Sequence, residues 1–357
     1  MASIVVAGDV LRRPRGSNLA THLHYLIGLR KLGHEVAYLE DADGASGVPR
    51  AGLVMLREML RRCRVEVPVI WVDADAGLVG GMLWPQLRRR LRAADLLIDL
   101  GGHCWLPERS LVGRRLLLDV DSDPAQPGAP PRQADHDLFF SYRREPTALP
   151  DADWLPTIPP VVPRLWYGPP TRAELPLRVC VEEGASPGRG EDSACGISRG
   201  QLLALPGRIS PRPWTALGST LAADVAELER AGWSVRPAAE VDESLSSYRR
   251  NMIGSQGLLG LGPPDGAWFT SLQAGFLAAG RPVITRAGDL DSWLPTGSGL
   301  VTFTGVDGAV AAVERVQAEL HRHAAAARGV AERVFHFRVV LPSLLEQALP
   351  RRLRAVA

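Results

Sequence analysis

The amino-acid sequence predicts an α/β protein with two open, doubly wound parallel sheets that follow one another along 357 residues. The first reason is a strand–helix–strand pattern at the start of the chain, where apolar runs at 3–7 and 35–39 flank a helical stretch. The second is a proline-rich segment at 146–176, because proline stiffens a chain and is excluded from central strands. The third is a new α/β pattern that opens at 177–182.

The first helix is predicted between the two initial strands. Ser17 or Asn18 provides a helix N-cap, since a short polar side chain accepts hydrogen bonds from the first helical N–H groups. Apolar residues then recur at helical spacing from 19 to 27. Gly33 follows Arg30 and Lys31 and is expected to end the helix.

Composition and charge exclude several classes of protein. A hydrophobic content of 46% is sufficient for two cores, and a net charge of +2 gives no reason to expect a nucleic-acid partner. No apolar run approaches the roughly 18 residues of a membrane span. The four cysteines form no C-x-x-C pair, and the N-terminus resembles a strand rather than a signal peptide. We therefore expect reduced thiols and a cytoplasmic protein.

The remaining elements are predicted from apolar periodicity and turn residues. Strands are expected at 67–72, 95–100, 115–120, 137–142, 177–182, 233–236, 258–261 and 282–285. Helices are expected at 77–93, 222–231, 243–252, 271–279, 306–334 and 339–353, the last interrupted by or starting at Pro342.

The loop after the first strand lacks the G-x-G-x-x-G pattern of dinucleotide-binding proteins, because its glycines, Gly8 and Gly16, are too far apart. This argues against a nicotinamide or flavin enzyme. Four polar residues are expected near the carboxyl end of that strand: Asp9, Asn18, His22 and His24. We interpret the loop as part of a pocket for an acceptor substrate.

Two further groups follow strand ends, where open α/β sheets bind their ligands. His103 lies in a glycine-rich loop and is a candidate for general acid–base catalysis, although a hydrogen-bonded surface histidine has the same appearance. Asp119, Asp121 and Asp123 are spaced as a divalent-cation site would be. A turn capped by Asp and Ser is the preferred interpretation, with one carboxylate exposed to a ligand.

A strand–loop–helix–strand unit at 251–296 organises the second half of the chain. Glycines and prolines at 262–266 separate its first strand from a helix, and Thr270 or Ser271 is expected to cap that helix. A helix N-terminus after a glycine-rich loop is suited to phosphate, although a purely structural turn would have the same sequence. Gly266, without a Cβ, would allow a ligand to approach closely.

Five segments resemble conserved motifs of GT-B glycosyltransferases and occur in the same order. They are GLRKLGHEV at 28–36, HDLFF at 136–140, YRR followed by GSQG at 248–257, AAGRPVI at 278–284 and LPTGSGL at 294–300. The resemblance implies two Rossmann-like domains that face each other across a cleft. An acceptor domain at 1–165 and a nucleotide-sugar domain at 177–335 are expected, with a final helix in 336–357 packing back toward the first domain.

The resemblance also implies a substrate and a site. The donor would be a nucleotide-diphosphate sugar, used as a co-substrate, with no resident cofactor or metal. Trp268 would stack on the base or the sugar, or serve as a core residue. The donor contacts implied by the resemblance and the glycine-rich loop are Ser255, Gln256, Gly257, Gly266, Trp268, Phe269, Thr270 and Ser271.

The chain departs from the family pattern at charged positions. Ala267 and Gly275 stand where retaining members carry two glutamates, which favours inversion of the anomeric carbon. Gln256, Leu258, Ser271 and Leu272 replace further charged donor contacts, which indicates an unusual donor or lost activity. An inverting enzyme requires a base on the acceptor side. The candidates are Asp9, His22, His103 and Asp121.

Three functions agree with this pattern. The preferred one is a metal-independent inverting transferase acting on a small molecule, in keeping with bacterial natural-product chemistry and with the arginine-rich composition of a GC-rich genome. A non-catalytic GT-B-like auxiliary or sugar-binding protein and a sugar-nucleotide epimerase are the alternatives. The nucleotide base, the sugar, the acceptor and the formation of a homo-oligomer are left open by the sequence.

Overall fold

The computed structural model describes residues 1–41, 50–73, 77–120, 136–143, 152–180, 198–210, 213–217, 222–261 and 269–349. The chain divides into two compact units. Unit 1 comprises Met1–Val162 and His336–Ala357, and unit 2 comprises Pro163–Phe335. Within the described residues no helix combines the length and the apolar character needed to cross a membrane.

Unit 1 contains an eight-stranded sheet. Its strands are β1 (Ser3–Ala7), β2 (Glu35–Asp41), β3 (Val69–Asp73), β4 (Leu78–Gly80), β5 (Leu96–Leu100), β6 (Arg115–Asp119), β7 (Leu138–Ser141) and β8 (Trp154–Pro156). The order across the sheet is β4-β3-β2-β1-β5-β6-β7-β8, and every neighbouring pair is parallel except β3 and β4. The central strands β1 and β5 are apolar and buried because both faces of a doubly wound sheet are covered.

Unit 2 contains a six-stranded parallel sheet of the same design. Its strands are β9 (Arg178–Cys180), β10 (Trp214–Leu217), β11 (Ser234–Pro237), β12 (Leu258–Gly260), β13 (Val283–Arg286) and β14 (Leu300–Phe303). The order is β11-β10-β9-β12-β13-β14. The predicted architecture of two doubly wound sheets is confirmed.

Eleven α-helices are present in the described part of the chain. They are α1 (Gly16–Lys31), α2 (Arg50–Arg62), α3 (Trp84–Ala93), α4 (Arg199–Ala204), α5 (Ala222–Arg230), α6 (Ala238–Val241), α7 (Leu245–Ile253), α8 (Ser271–Ala278), α9 (Gly305–Ala318), α10 (Leu320–Val330) and α11 (Phe337–Ala348).

The last helix, α11, belongs to unit 1 and packs on α1. A Cβ added at Gly28 in α1 would lie 2.5 Å from Leu341 Cδ1, so the glycine permits this close approach. His336 forms a parallel bridge with Val161, and the Phe337 N–H donates to Val161 O at 2.9 Å. The chain therefore leaves unit 1 and re-enters it at adjacent points of that unit.

The predicted strands agree with the observed ones to within two residues. The helix predicted at 77–93 is wrong in its first half, where Leu78–Gly80 forms the antiparallel edge strand β4. Pro85 lies in the first turn of α3, where proline is favoured, and α3 therefore starts at Trp84.

The structure refines two helical predictions near the C-terminus. The stretch predicted to be helical at 306–334 is largely so, as two helices divided at Glu319 and followed by a π-helical turn at Ala331–Phe335. The final helix begins at Phe337 and contains Pro342 inside it. It starts earlier than predicted because the side chain of His336 accepts a hydrogen bond from the Arg338 N–H and so caps it.

Sequence periodicity missed several elements. The helix α2 and the strands β10 and β14 were not predicted. The proline-rich segment, interpreted as a connection, contributes the edge strand β8, where proline is tolerated. The expected N-cap at Ser17 or Asn18 is wrong, because α1 begins at Gly16 without a side-chain cap.

Candidate functional site

The site in unit 1 lies where the connections of the sheet change direction. Strands β1 and β5 are neighbours, and ligands of open α/β sheets bind at the carboxyl ends of such a pair. Asp9 follows β1, and the loop that begins at Gly101 follows β5. Gly101 and Gly102 have φ angles of +78° and +71°, a backbone that glycine adopts without strain, and this turn directs His103 back toward Asp9.

Asp9, Arg13 and His103 form one polar cluster. Arg13 Nε donates to Asp9 Oδ2, and Arg13 Nη2 lies 2.6 Å from His103 Nε2. Asn18 Nδ2 donates to Asp9 Oδ1 at 3.0 Å. His103 Nε2 and Asp9 Oδ2 are 3.7 Å apart. An arginine N–H can only donate, so Nε2 of His103 is the acceptor and the imidazole is neutral in this arrangement.

The two ionisable side chains of this cluster differ in exposure and in charge. The side chain of His103 is 22% exposed, whereas that of Asp9 is 3% exposed. Burial lowers the pKa of His103, and this outweighs the opposing effect of Asp9. Burial acts to raise the pKa of Asp9, but the protonated forms of His103 and His22 and the charge of Arg13 outweigh it, and the pKa is lowered. The pair therefore combines an ionised carboxylate with a neutral imidazole at neutral pH.

His22 lies deeper, beneath the loop after β1. Its Nδ1 is 2.8 Å from Asn18 O, which fixes the proton on Nδ1 because a carbonyl can only accept. Its buried Nε2 has no hydrogen-bond partner within the described chain. A Cβ at Gly8 would lie 1.9 Å from that Nε2, so the ring packs directly on the glycine backbone. Burial lowers the pKa of His22.

The structure thus brings together three of the four predicted catalytic candidates. Asp121 lies outside the described residues. Asp119, at the end of β6, accepts a hydrogen bond from Ser141 Oγ at 3.0 Å. His24, also considered for the acceptor pocket, is directed elsewhere: it accepts from the Val162 N–H at 3.1 Å, and burial lowers its pKa to about 3.

Sequence reasoning missed three residues that hold this site together. Arg13 links Asp9 to His103 and was detectable only by its i+4 spacing from Asp9. Asp99 accepts from the His103 N–H at 3.0 Å and so anchors the loop after β5. Glu40 is fully buried at the end of β2 and anchors the loop after β1. A carboxylate that ends an apolar strand was the available signal for Asp99 and Glu40.

Unit 2 places Thr270 at the start of α8, as predicted. The Thr270 hydroxyl accepts from the Gln273 N–H at 3.2 Å, and Gln273 Oε1 accepts from the Thr270 N–H at 2.8 Å. This capping box fixes the first turn, whose N–H groups and dipole favour an anion. Ser271 is the first residue of α8. Gly266 and Trp268 lie outside the described residues.

Phe269 is a core residue and not a surface for a donor. It is completely buried and stacks on Phe335 with ring centroids 4.9 Å apart. The prediction that it contacts the donor is therefore corrected, because a buried, stacked ring has no face available for a base or a sugar.

Ser255, Gln256 and Gly257 lie at the amino end of β12, whereas Thr270 follows its carboxyl end. A strand rises about 3.3 Å per residue, so Gly257 and Leu261 lie roughly 13 Å apart. Ser255 and Gln256 are also buried. The three residues are therefore not brought to the start of α8, contrary to the expectation that they and Thr270 would contact the same donor.

The polar groups at this amino end are engaged in the packing of unit 2. Trp214 Nε1 donates to Ser255 Oγ at 3.2 Å, and Gln256 Nε2 donates to Ala173 O at 3.1 Å. A Cβ at Gly257 would lie 2.7 Å from Pro282 O. These contacts give Ser255, Gln256 and Gly257 a structural role.

Metal-ligating side chains do not cluster in the described parts of either unit. No group of three or more His, Cys, Asp or Glu residues there is arranged to hold a metal ion.

Comparison with known proteins identifies the fold. No protein-family profile and no curated protein matches the sequence. Among solved structures, Anabaena Alr3699/HepE in complex with UDP and glucose superposes with a TM-score of 0.60 at 11% identity, covering 97% of this chain and 99% of that one. AviGT4, a glycosyltransferase involved in avilamycin A biosynthesis, gives 0.57 at 16% identity, covering 100% and 99%.

A third likeness is to an alpha-glucosyltransferase. The alpha-glucosyltransferase AGT in complex with UDP gives a TM-score of 0.63 at 10% identity, covering 98% of this chain and 100% of that one. Another structure of an alpha-glucosyltransferase also contains a 13-mer DNA. At these identities the likeness establishes the fold, and this chain has the GT-B fold.

Proposed function

We propose that this GT-B chain is a glycosyltransferase that moves a sugar from a nucleotide diphosphate to a hydroxyl or amine of a small-molecule acceptor. The observation that carries the proposal is the Asp9–Arg13–His103 cluster at the switch point of unit 1. A neutral imidazole can accept a proton as a general base, and an ionised carboxylate beside it stabilises the imidazolium that results. The UDP complexes of structures with the same fold support a nucleotide-sugar donor.

His103 is proposed as the base. The acceptor O–H proton passes to an imidazole nitrogen while the oxygen attacks the anomeric carbon and the bond to the diphosphate breaks. The imidazolium that forms is stabilised by Asp9, whose Oδ2 lies 3.7 Å from Nε2. In the observed state Arg13 donates to Nε2, so the acceptor must displace that N–H or the cluster must rearrange on binding.

The donor is proposed to bind in unit 2 with its diphosphate at the start of α8. The capping box at Thr270 and Gln273 presents a fixed helix N-terminus there, and such a terminus attracts an anion. The departing diphosphate can be stabilised by these groups without a metal. Ser255, Gln256, Gly257 and Phe269 are not included in this site.

An activity test decides between transfer and its alternatives. The chain is incubated with UDP-, dTDP- and GDP-sugars, with and without a panel of small-molecule acceptors, and release of the nucleoside diphosphate is measured. We expect release from one donor only when an acceptor is present. Conversion of the donor without acceptor would indicate an epimerase, and absence of both reactions a non-catalytic protein. Duplex DNA is included in the panel because an enzyme with this fold binds DNA.

The stereochemical prediction is inversion without a metal requirement. The resemblance to GT-B motifs places Ala267 and Gly275 where retaining members carry paired glutamates, and the proposed base lies in unit 1. We expect a product with inverted anomeric configuration, assigned by NMR coupling constants, and activity that persists in EDTA. A product of retained configuration, or activity abolished by EDTA and restored by magnesium, would disprove this mechanism.

The position of the diphosphate is tested by a matched pair of variants, Thr270→Asp and Thr270→Asn. Both residues are good helix caps, so α8 is preserved in each. Only aspartate places a negative charge at the helix start. We expect at least tenfold weaker UDP binding in Thr270→Asp than in Thr270→Asn by calorimetry, a difference of about 1.4 kcal/mol. Equal affinities in the two variants would move the donor site elsewhere.

A further inference from the structure

The loop after β1 is held by two side chains of the neighbouring strand β2. Three consecutive N–H groups of this loop donate to them: Val10 to Tyr38 Oη at 3.0 Å, Leu11 to Glu40 Oε2 at 2.7 Å, and Arg12 to Glu40 Oε1 at 2.7 Å. Tyr38 Oη in turn donates to Glu40 Oε2 at 2.6 Å. Tyr38 and Glu40 therefore fix the backbone of the loop segment Val10–Arg12.

Glu40 is a buried carboxylate, so its hydrogen bonds are needed to offset the loss of hydration. Its side chain is 0% exposed, and removing a carboxylate from water costs several kcal/mol unless hydrogen bonds and charges compensate. Arg12 Nε lies 3.6 Å from Glu40 Oε1 and supplies part of that compensation. The three donors that satisfy both carboxylate oxygens are the Leu11 and Arg12 amides and the Tyr38 hydroxyl.

The loop held by Glu40 connects the two halves of the polar cluster. Asp9 and Arg13 lie immediately before and after the segment that is fixed, and the Arg13 N–H donates to Asp9 O at 2.8 Å. Arg12 Nη2 donates to His103 O at 3.2 Å, which joins the loop to the one after β5. A shift of the Val10–Arg12 backbone would therefore change the distances among Asp9, Arg13 and His103.

We propose that Glu40 is a positioning residue: with Tyr38 it fixes the backbone of Val10–Arg12 and thereby sets the geometry of the Asp9–Arg13–His103 cluster. The catalytic meaning of this role rests on the proposed transferase function. The anchoring itself is a property of the loop and is measurable without any substrate.

The test uses Glu40→Gln, with Glu35→Gln as the matched control. Glu35 is the exposed first residue of the same strand, so the control makes the same chemical change away from the loop. The glutamine side chain has one oxygen that accepts hydrogen bonds and one NH2 group that only donates them. It therefore cannot accept all the hydrogen bonds that the two carboxylate oxygens of Glu40 accept. We expect amide hydrogen exchange of Leu11 and Arg12, followed by NMR, to accelerate at least tenfold in Glu40→Gln and to stay unchanged in Glu35→Gln.

Turnover is measured on the same variants. We expect kcat to fall at least tenfold in Glu40→Gln while the KM for the donor is unchanged, because donor binding belongs to unit 2. If Glu40→Gln fails to fold, Tyr38→Phe removes a single hydroxyl from the same anchor. In that variant the amide hydrogen of Val10 should exchange faster, and kcat should also fall.

The outcomes separate the two proposals. Wild-type exchange rates at Leu11 and Arg12 in Glu40→Gln would overturn the anchoring, whatever the activity of the protein. Faster exchange with an unchanged kcat would overturn the positioning role alone. A wild-type chain without transferase activity would overturn the proposed function, while the exchange result would still report on the anchor.

Discussion

Replacing His103 by alanine should lower the turnover number of sugar transfer by about 10²–10⁴-fold, the contribution of a general base, and leave UDP binding unchanged. The loss is expected because His103 is partly exposed, whereas His22 is buried, and because His103 is neutral beside an ionised Asp9. Added imidazole should restore part of the activity. His321→Ala, on an exposed face of α10 in unit 2, is the control and should leave turnover unchanged.

The pH dependence gives an independent reading of the same residue. Burial lowers the pKa of His103 from its usual 6.5, so the base becomes protonated and kcat falls only when the pH drops below that lowered value. The charge of Asp9 acts to raise the pKa of His103. Asp9→Asn should therefore shift the acid limb of the profile to lower pH. An acid limb that does not move in Asp9→Asn would exclude His103 as the titrating base.

Replacing Gly8 by alanine should destabilise the protein by about 1–3 kcal/mol, the usual cost of overpacking. The new methyl group would lie 1.9 Å from His22 Nε2 and 2.5 Å from His22 Cδ2. His22 cannot easily move away, because it is buried and its Nδ1 is held by Asn18 O at 2.8 Å. The free energy of unfolding is measured by urea denaturation.

A double-mutant cycle isolates the contact between Gly8 and His22. In a His22→Ala background the space beside Gly8 is vacated, so Gly8→Ala should cost close to nothing and the two changes should be strongly non-additive. Gly207→Ala is the control, because a Cβ there meets no atom within 4 Å, and we expect a change of at most about 0.5 kcal/mol. Additive effects at Gly8 and His22 would show that the ring does not pack on the glycine.

The local rules of the sequence were sufficient for most of the strands and for the class of fold. Alternation of apolar strands with helical stretches identified the sheets, because a strand buried on both faces must be continuously apolar. A cap at Thr270 or Ser271 was predicted because a short polar side chain precedes the apolar helix, and the structure shows that Thr270 is the cap, in a reciprocal pair with Gln273. These features depend on residues within four positions of each other, which is the range over which sequence patterns are informative.

Closeness along the sequence did not predict which residues share a site when a strand lies between them. Ser255–Gly257 and Thr270 are close along the chain, but the first group lies at the amino end of β12 and Thr270 follows its carboxyl end. The side chains of Ser255 and Gln256 are then buried and satisfied by partners such as Trp214 and Ala173. The direction of a strand, and not the number of intervening residues, decided which residues can share a ligand.

The sequence by itself determined the chemical groups of the candidate site, since Asp9, His22 and His103 each follow or face a strand end. Only the tertiary structure decided that Asp9 and His103 belong to one cluster, because the pairing of β1 with β5 brings them within 3.7 Å of each other across 94 positions of the chain. In the same way, the pairing of β1 with β2 brings Glu40 into contact with the loop that carries Asp9. Strand order is fixed by the burial of both sheet faces over the whole unit, a long-range property that no local pattern contains.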